Sequence, residues 1–369
     1  MAPSDAQSPS VLRGRKQSHL DLCGNEDVEY TAKTTLFEDV ELIHNALPEL
    51  ALDDVDVSVD FLGKRLRVPL LITGMTGGTA EAFAINRDLA VLAEQRGLAF
   101  GLGSQRVMQR DPAVAWTFAV REFAPSVLLL ANLGLNQAAQ QSTESVQHLL
   151  ASVSADALCL HMNPAQELIQ PEGDRDFRGG LSALQRLCRE LSLPVIAKET
   201  GCGVSRIVGL ELRECGVRYV DVSGAGGTSW VRVESLRGDE RSRALGELLS
   251  TWGIPTAASL AMVNDLGLEL IASGGIRTGL DVAKAIALGA RLCGAALPIY
   301  RAYRAGGIAA ATRFIDELVE GLKAAMLLTG ARTIAELASQ PVVRGDRLRA
   351  WTDAGAIQAE RWRSREDGG

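Results

Sequence analysis

Four side chains with complementary chemistry fall within seven residues: His161, Asn163, Gln166 and Glu167. They follow directly on the apolar run Ala157 to Leu160, which reads as a β-strand. An imidazole, two amides and a carboxylate can together bind an oxyanion, hold a hard cation and steer a proton. An ordinary strand-to-helix turn needs only a helix cap, and Asn163-Pro164 would already supply one. Parallel α/β folds place their chemistry at the C-terminal ends of strands, where this cluster stands.

Other apolar runs end in comparable groups. Gly74-Met75-Thr76-Gly77-Gly78 closes the first, with glycines that admit a planar ligand and a hydroxyl on Thr76. The second delivers Ser104, Gln105 and Arg106, the guanidinium being suited to a pair of anionic oxygens. Asn132 ends the third and Lys198-Glu199 the fifth, where a buried lysine needs an anionic partner or a ring dipole. Ser223 to Thr228 is a small-residue turn after the sixth. The stretch 273–290, SGGIRTGLDVAKAIALGA, is a glycine turn opening a helix, followed by Gly294-Ala295-Ala296 on the last run. In a barrel the last two loops often grip a phosphate through backbone N–H groups and a helix N-terminus. This turn reads as the phosphate grip of a flavin mononucleotide.

The elements that must carry these groups show a regular rhythm. Eight near-continuous apolar runs lie at 68–73, 98–103, 126–134, 156–162, 194–199, 217–224, 268–275 and 291–296. Amphipathic stretches such as Glu81–Arg96, Leu181–Leu191 and Gly279–Leu288 separate them. That pattern predicts an α/β protein, a (β/α)8 TIM barrel with an N-terminal extension and a β-hairpin. The hairpin is expected around Gly63-Lys64, as a plug or lip of the barrel. Residues 1–60 are expected to form the extension, with a disordered Ser/Pro-rich start to about Leu12 and then a substrate-covering segment; 61–345 the barrel; 346–369 a C-terminal tail, frayed at its end. Thr35 to Leu47 reads as a helix or helical turn stopped by Pro48, and Ile308 to Leu328 as a helix. The charged stretch Trp230 to Gly246 reads as a mobile loop or lid, and His44 and His148 as helix residues.

Composition narrows the class. A formal charge of −7 argues against a general nucleic-acid or membrane-surface binder. The six scattered cysteines contain no CxxC pair and suit a reducing compartment, so a cytoplasmic enzyme is expected. No run approaches a membrane span.

In order along the chain, MTGG, GLGSQR, ANLG, NPAQE with QPEGDRDF behind it, AKETGCGVS, VSGAGGTSW and SGGIR resemble the flavin-dependent, type 2 isopentenyl-diphosphate isomerases. The resemblance spans nearly the whole chain, from Arg15-Lys16 to Ala295-Ala296. It implies a reversible 1,3-allylic proton shift from isopentenyl to dimethylallyl diphosphate, with reduced FMN, Mg2+, and NADPH as the reductant. It implies FMN contacts at Gly74, Met75, Thr76, Ser104, Asn132, Lys198, Ser223 and Thr228, and a phosphate site at Gly274, Gly275 and Arg277 with Ala295 and Ala296. The substrate would meet Arg15, Lys16, His19, Ser104, Gln105, Arg106, Asn163 and Gln166, with Glu167 holding the metal and His161 and Gln166 as catalytic residues. A homotetramer or homo-octamer is implied too. No carboxyl pair suited to protonating an alkene is evident, which points to the reduced flavin as the acid and base, with Gln166 orienting or relaying.

Two rivals compete with that reading. One is an FMN barrel oxidising a 2-hydroxy acid, which needs a histidine base after the sixth strand, where this chain has SGAGGTSW. The other is a non-catalytic phosphate-binding barrel, which would leave the cluster at His161 to Glu167 surplus.

Overall fold

The computed structural model describes the backbone from Pro9 to Glu366 and the side chains from Gly14 to Arg361. The described residues form twelve strands. They are β1 (Val40–Leu42), β2 (Val59–Phe61), β3 (Lys64–Leu66), β4 (Leu70–Ile72), β5 (Ala99–Gly101), β6 (Leu128–Gly134), β7 (Ala157–His161), β8 (Val195–Lys198), β9 (Tyr219–Asp221), β10 (Glu269–Ser273), β11 (Ala290–Ala295) and β12 (Val342–Arg344). Strands β4 to β11 close into a parallel barrel, and each coincides with one of the eight apolar runs. All seven residues of β6 are buried, because a barrel strand packs side chains inward and against the outer helices alike. Truncating one such leucine to alanine would cost about 2–5 kcal/mol.

The helices follow from their caps. Ala80–Arg96 begins where the Thr79 side chain accepts from the Ala82 N–H, and ends at Gly97 with φ +67°. Gly279–Ala287 opens on a capping box between Thr278 and Asp281.

The hairpin of β2 and β3 turns at Leu62-Gly63 and plugs the N-terminal end of the barrel. Lys64 Nζ donates to the carbonyls of Ser126 and Val127 and, at 2.8 Å, to Asp156 Oδ2, beneath the first residues of β6 and β7. Arg121 donates to the same carboxylate at 2.8 Å. Burial works to raise the Asp156 carboxyl, but these donors and the Leu129 N–H outweigh it and hold it below the usual carboxylate range.

Four local expectations fail for tertiary reasons. Thr35–Leu47 is not a continuous helix: it holds only a 3-10 turn at Phe37–Asp39, Leu36 sits at φ +60°, and β1 pairs antiparallel with β12, Val40 opposite Arg344. His44 is correspondingly an exposed loop residue, while His148 does lie on a helix, Thr143–Ser152. Trp230–Gly246 is neither loop nor lid but two capped helices, Trp230–Arg237 and Glu240–Leu248, with Val231, Val233 and Glu234 buried. The N-terminal stretch is helical from Pro9 to Asn25, so Pro9 to Leu12 are not coil, and the earlier residues lie outside the described ones. At the other end a helix from Asp346 runs to Glu366, through most of the stretch that reads as a frayed tail. The expected helix at Ile308–Leu328 is part of a longer one, Leu297–Thr329, kinked at Gly306 and Gly307.

Candidate active site

The C-terminal ends of the barrel strands open into one cavity capped by the helix Pro9–Asn25. That helix is held down by the Tyr300 hydroxyl, which donates to the Leu20 carbonyl at 3.0 Å, and by Arg301 Nε, which donates to the Cys23 carbonyl at 3.0 Å. Its His19 ring meets Trp230 edge-on, centroids 5.1 Å apart. Arg15, Lys16 and His19 thereby point inward, Lys16 and His19 both buried.

The structure gathers the residues singled out from sequence with two exceptions, Gln105 and Glu199. Gly74, Met75, Thr76, Ser104, Arg106, Asn132, His161, Asn163, Gln166, Glu167, Lys198, Ser223, Thr228, Gly274, Gly275, Arg277, Ala295 and Ala296 all line the cavity with Arg15, Lys16 and His19. Gln105 does not. Its side chain is completely buried behind the wall, where Oε1 accepts from the Asn132 N–H at 3.0 Å, so it braces β6 and does not face the cavity. Glu199 likewise turns away, its Oε2 accepting from the N–H groups of Thr200, Gly201 and Cys202 to shape the loop after β8. Burial pushes its carboxyl up to about 7 against those three donors.

One end of the cavity is cationic. Arg15, Lys16 and Arg106 converge there, and the Nε atoms of both arginines are buried without a partner. Burial, then the neighbouring Arg15 and Arg106 charges, push the Lys16 ammonium down to about 7 against the pull of Glu234. Such a set of desolvated, underpaired donors is built for a polyanion. Beside it Glu167, 5% exposed, accepts from Asn163 Nδ2 at 3.1 Å and from the Asp174 N–H at 2.8 Å.

His161 is held neutral. Its Nδ1 donates to Asn132 Oδ1 at 2.8 Å, and burial followed by Lys16, Lys198, Arg106 and Arg15 pushes the imidazole down to about 3. That leaves Nε2 as a lone pair. Gln166 is pinned at both ends: Nε2 donates to Glu234 Oε1 at 3.1 Å and Oε1 accepts from Asn163 Nδ2 at 3.3 Å.

Glu234 is the principal residue that sequence reasoning misses. Its carboxylate, wholly buried, accepts from His19 Nε2 at 2.9 Å, Gln166 Nε2 at 3.1 Å and Arg237 Nε at 2.8 Å. The Gln170 amide, oriented to satisfy both neighbours, adds a bond to Glu234 Oε1 and accepts from Arg15 Nη1 at 2.7 Å. Burial works to raise this carboxyl, but His19, Arg237 and Gln166 outweigh it and hold it at about 2. Burial, with Arg15 and Lys16 adding to it, pushes the His19 imidazole down despite Glu234, so His19 donates as a neutral ring. Glu234 lay in a stretch whose charge density masks a single inward carboxylate. Asp221 had a visible signal, an acid inside an apolar strand, and it pairs with Lys198 at 2.7 Å.

The opposite end is a backbone cradle. Gly274 has φ +94°, and a Cβ there would stand 2.1 Å from the Gly224 carbonyl; one on Gly227 would stand 2.3 Å from the Gly275 nitrogen. Only bare glycine turns bring the loops after β9 and β10 this close. Arg277 reaches this end and is also paired with Glu29. On the loop after β4, Thr76 Oγ1 is buried without a hydrogen-bond partner.

Comparison with known proteins agrees with this arrangement. Residues 136–344 match the FMN-dependent dehydrogenase family. An isopentenyl-diphosphate delta-isomerase of Methanothermobacter thermautotrophicus is 42% identical over 358 residues, 96% of this chain and 100% of that protein. One from Methanosarcina mazei is 45% identical over 92% of each chain, and one from a Nostoc species 46% identical over 82% of this chain and 87% of its own. Among solved structures, a lactate oxidase of Pediococcus acidilactici superposes with a TM-score of 0.65 at 16% identity, covering 92% of this chain and 95% of its own. A mandelate oxidase variant carrying an FMN adduct superposes with a TM-score of 0.61 at 18% identity, over 90% and 100%. At those identities the structures attest the barrel alone. The first two isomerases match over more than nine-tenths of the chain, well beyond the residues of the dehydrogenase match; the chain therefore belongs to the type 2 isopentenyl-diphosphate delta-isomerase family.

Proposed function

We propose that the chain interconverts isopentenyl and dimethylallyl diphosphate by a 1,3-allylic proton shift, using reduced FMN and Mg2+ in this cavity. The observation that carries the reading is the division of the cavity. A cationic end with one carboxylate faces a neutral imidazole and a pinned amide, and a glycine cradle lies beyond. Both groups fit what is there. The unpartnered Thr76 hydroxyl, the bare turns at Gly227 and Gly274, and Met75, Ser104, Asn132, Lys198, Ser223 and Thr228 on the wall suit a flat ring with polar edges. Gly274, Gly275, Arg277, Ala295 and Ala296 would take its phosphate. Glu167 would hold Mg2+ with substrate oxygens completing the shell, since among the described residues no three His, Cys, Asp or Glu groups converge on a metal.

When bound, reduced FMN supplies a ring nitrogen able to give and take the proton at carbon, for which the cavity offers no suitably acidic side chain. The protein's part is placement and charge. Arg15, Lys16, His19 and Arg106 grip the diphosphate, with Ser104 and Asn163 beside it. Gln166, locked between Asn163 and Glu234, orients the alkene, and neutral His161 offers its Nε2 lone pair without adding charge. The helix Pro9–Asn25 covers the mouth and keeps water out. NADPH as reductant, a homotetramer or homo-octamer, and a reducing cytoplasm complete the reading. The last is supported by six cysteines that form no disulfide, and no helix among the described residues is long and apolar enough to cross a membrane. The 2-hydroxy-acid oxidase alternative finds no base: the turn after β9 carries no histidine.

The test is anaerobic incubation with reduced FMN, Mg2+ and isopentenyl diphosphate in D2O. Deuterated dimethylallyl diphosphate, absent with oxidised FMN, is the expected result. Lack of product together with flavin bleaching by a hydroxy acid would overturn the reading.

A further inference from the structure

Asp221 stands one strand behind the cavity wall and does not reach the cavity, whereas Lys198, Ser223 and Ser273 do. The barrel ladder places Lys198 opposite Asp221 on one side and opposite His161 on the other. Lys198 Nζ donates to Asp221 Oδ2 at 2.7 Å and to Ser273 Oγ at 3.2 Å. Ser273 Oγ donates in turn to Asp221 Oδ1 at 2.6 Å, and the Ser223 N–H meets the same oxygen at 3.2 Å. The lysine side chain is 11% exposed and the aspartate 1%. Three bonds in so dry a place leave the carboxylate no freedom, and a fourth ties the ammonium to a third strand through a hydroxyl.

We infer that Asp221 is a positioning residue of the cofactor site. Together with Ser273 it fixes the Lys198 side chain in place, aimed at the ring of the bound cofactor, and supplies the anion that offsets its charge there. The inference rests on the placement of FMN proposed above. The groups that face Lys198 are Asp221 from β9, His161 and Cys159 from β7, the adjoining Glu199, and the Ser273 hydroxyl from β10. Lys16, on the capping helix, contributes a further cation around His161. Asp221 is the only carboxylate among them bonded to Nζ. The cavity itself shows what a lysine does without such a partner. Lys16 feels Glu234 only from a distance, and burial with its arginine neighbours pushes it down to about 7. In an Asp221 variant, burial would oppose the Lys198 charge with no bonded anion to offset it.

The experiment is the midpoint potential of protein-bound FMN from pH 6 to 9, by equilibration with reference dyes, in wild type and Asp221→Asn. Reduction places negative charge on the ring, and in the variant it draws a proton onto Lys198. The variant should therefore gain a further tenfold change in reduced-to-oxidised affinity ratio per pH unit, about 30 mV for a two-electron couple. Adding Lys198→Met to Asp221→Asn should abolish the extra slope. Parallel lines for wild type and Asp221→Asn, both with FMN bound stoichiometrically, overturn the assignment alone. Wild type that binds no FMN overturns the reading on which it rests, and the assignment with it. If Asp221→Asn does not fold, Asp221→Glu carries the test. It keeps the charge but displaces the ammonium, so its line should run parallel to wild type and be offset by at least twofold in affinity ratio, about 9 mV. A coincident line overturns the proposal.

Discussion

Binding of a diphosphate should pull a proton onto Lys16. The ammonium is held at about 7 because burial and two arginines oppose its charge, and a bound polyanion reverses that balance. The uptake attributable to this residue is then about 0.1 proton at pH 6, about 0.5 at pH 7 and about 0.9 at pH 8. From the same group, apparent affinity should fall by about 1.4 kcal/mol per pH unit above 7, since protonation has to accompany binding. Calorimetric titration with inorganic pyrophosphate and Mg2+, in two buffers of different ionisation enthalpy, reads the uptake directly. Comparison with Lys16→Arg cancels the titration of pyrophosphate itself, because arginine stays charged throughout. The difference between the two proteins should grow from pH 6 to pH 8. Equal uptake in both, or a difference that shrinks with rising pH, would refute the electrostatic account of the cationic end.

Three further outcomes follow from the same geometry. Glu234→Gln should cost about 3 kcal/mol in urea denaturation at pH 7, because His19, Gln166 and Arg237 lose a buried anion, and kcat should fall at least tenfold. The carboxyl is held at about 2 against an ordinary 4.5, so its contribution is complete above pH 4.5 and lost as pH falls toward 2; the variant's acid limb should be flatter by about 3 kcal/mol, and an unchanged limb would be evidence against the pairing. Gly275→Ala, at φ +86° with its Cβ 2.3 Å from Thr35, should add about 1–3 kcal/mol of strain and strip FMN from a protein that still folds, as measured by equilibrium dialysis. Removing residues 1–16 takes away Arg15 and Lys16 and should raise KM strongly; unchanged kinetics would show that the capping helix does not grip substrate.

Much of the site could be read without coordinates, for a definable reason. Barrel strands are buried on both faces, so their apolar runs are continuous, and the polar residues that end them stand out. His161, Asn163, Gln166, Glu167, Lys198 and the glycine turn at Gly274-Gly275 were visible in that way, and the barrel's rhythm placed them at one mouth. Gln105 shows the limit of the argument. Position at a strand end says which residues are near the mouth, not which way a side chain turns, and this one turns inward to bond the Asn132 N–H.

What the sequence by itself determined was therefore periodic or local: eight strand–helix units, the hairpin at Gly63, the helix caps, and the order of motifs that resembles the isomerases. Tertiary structure alone decided the rest. The resemblance already assigns Arg15, Lys16 and His19 to substrate, but what turns them inward as an anion grip is the anchoring of their helix over the mouth by Tyr300, Arg301 and Trp230. A charged stretch became two helices whose Glu234 ties that grip to Gln166 across 68 residues of chain. Thr35–Leu47 lost its helix to a strand pairing with residues some three hundred positions away. Each of these depends on contacts remote in sequence, and burial sets the charge of Lys16, His161 and Glu234 only once those contacts exist.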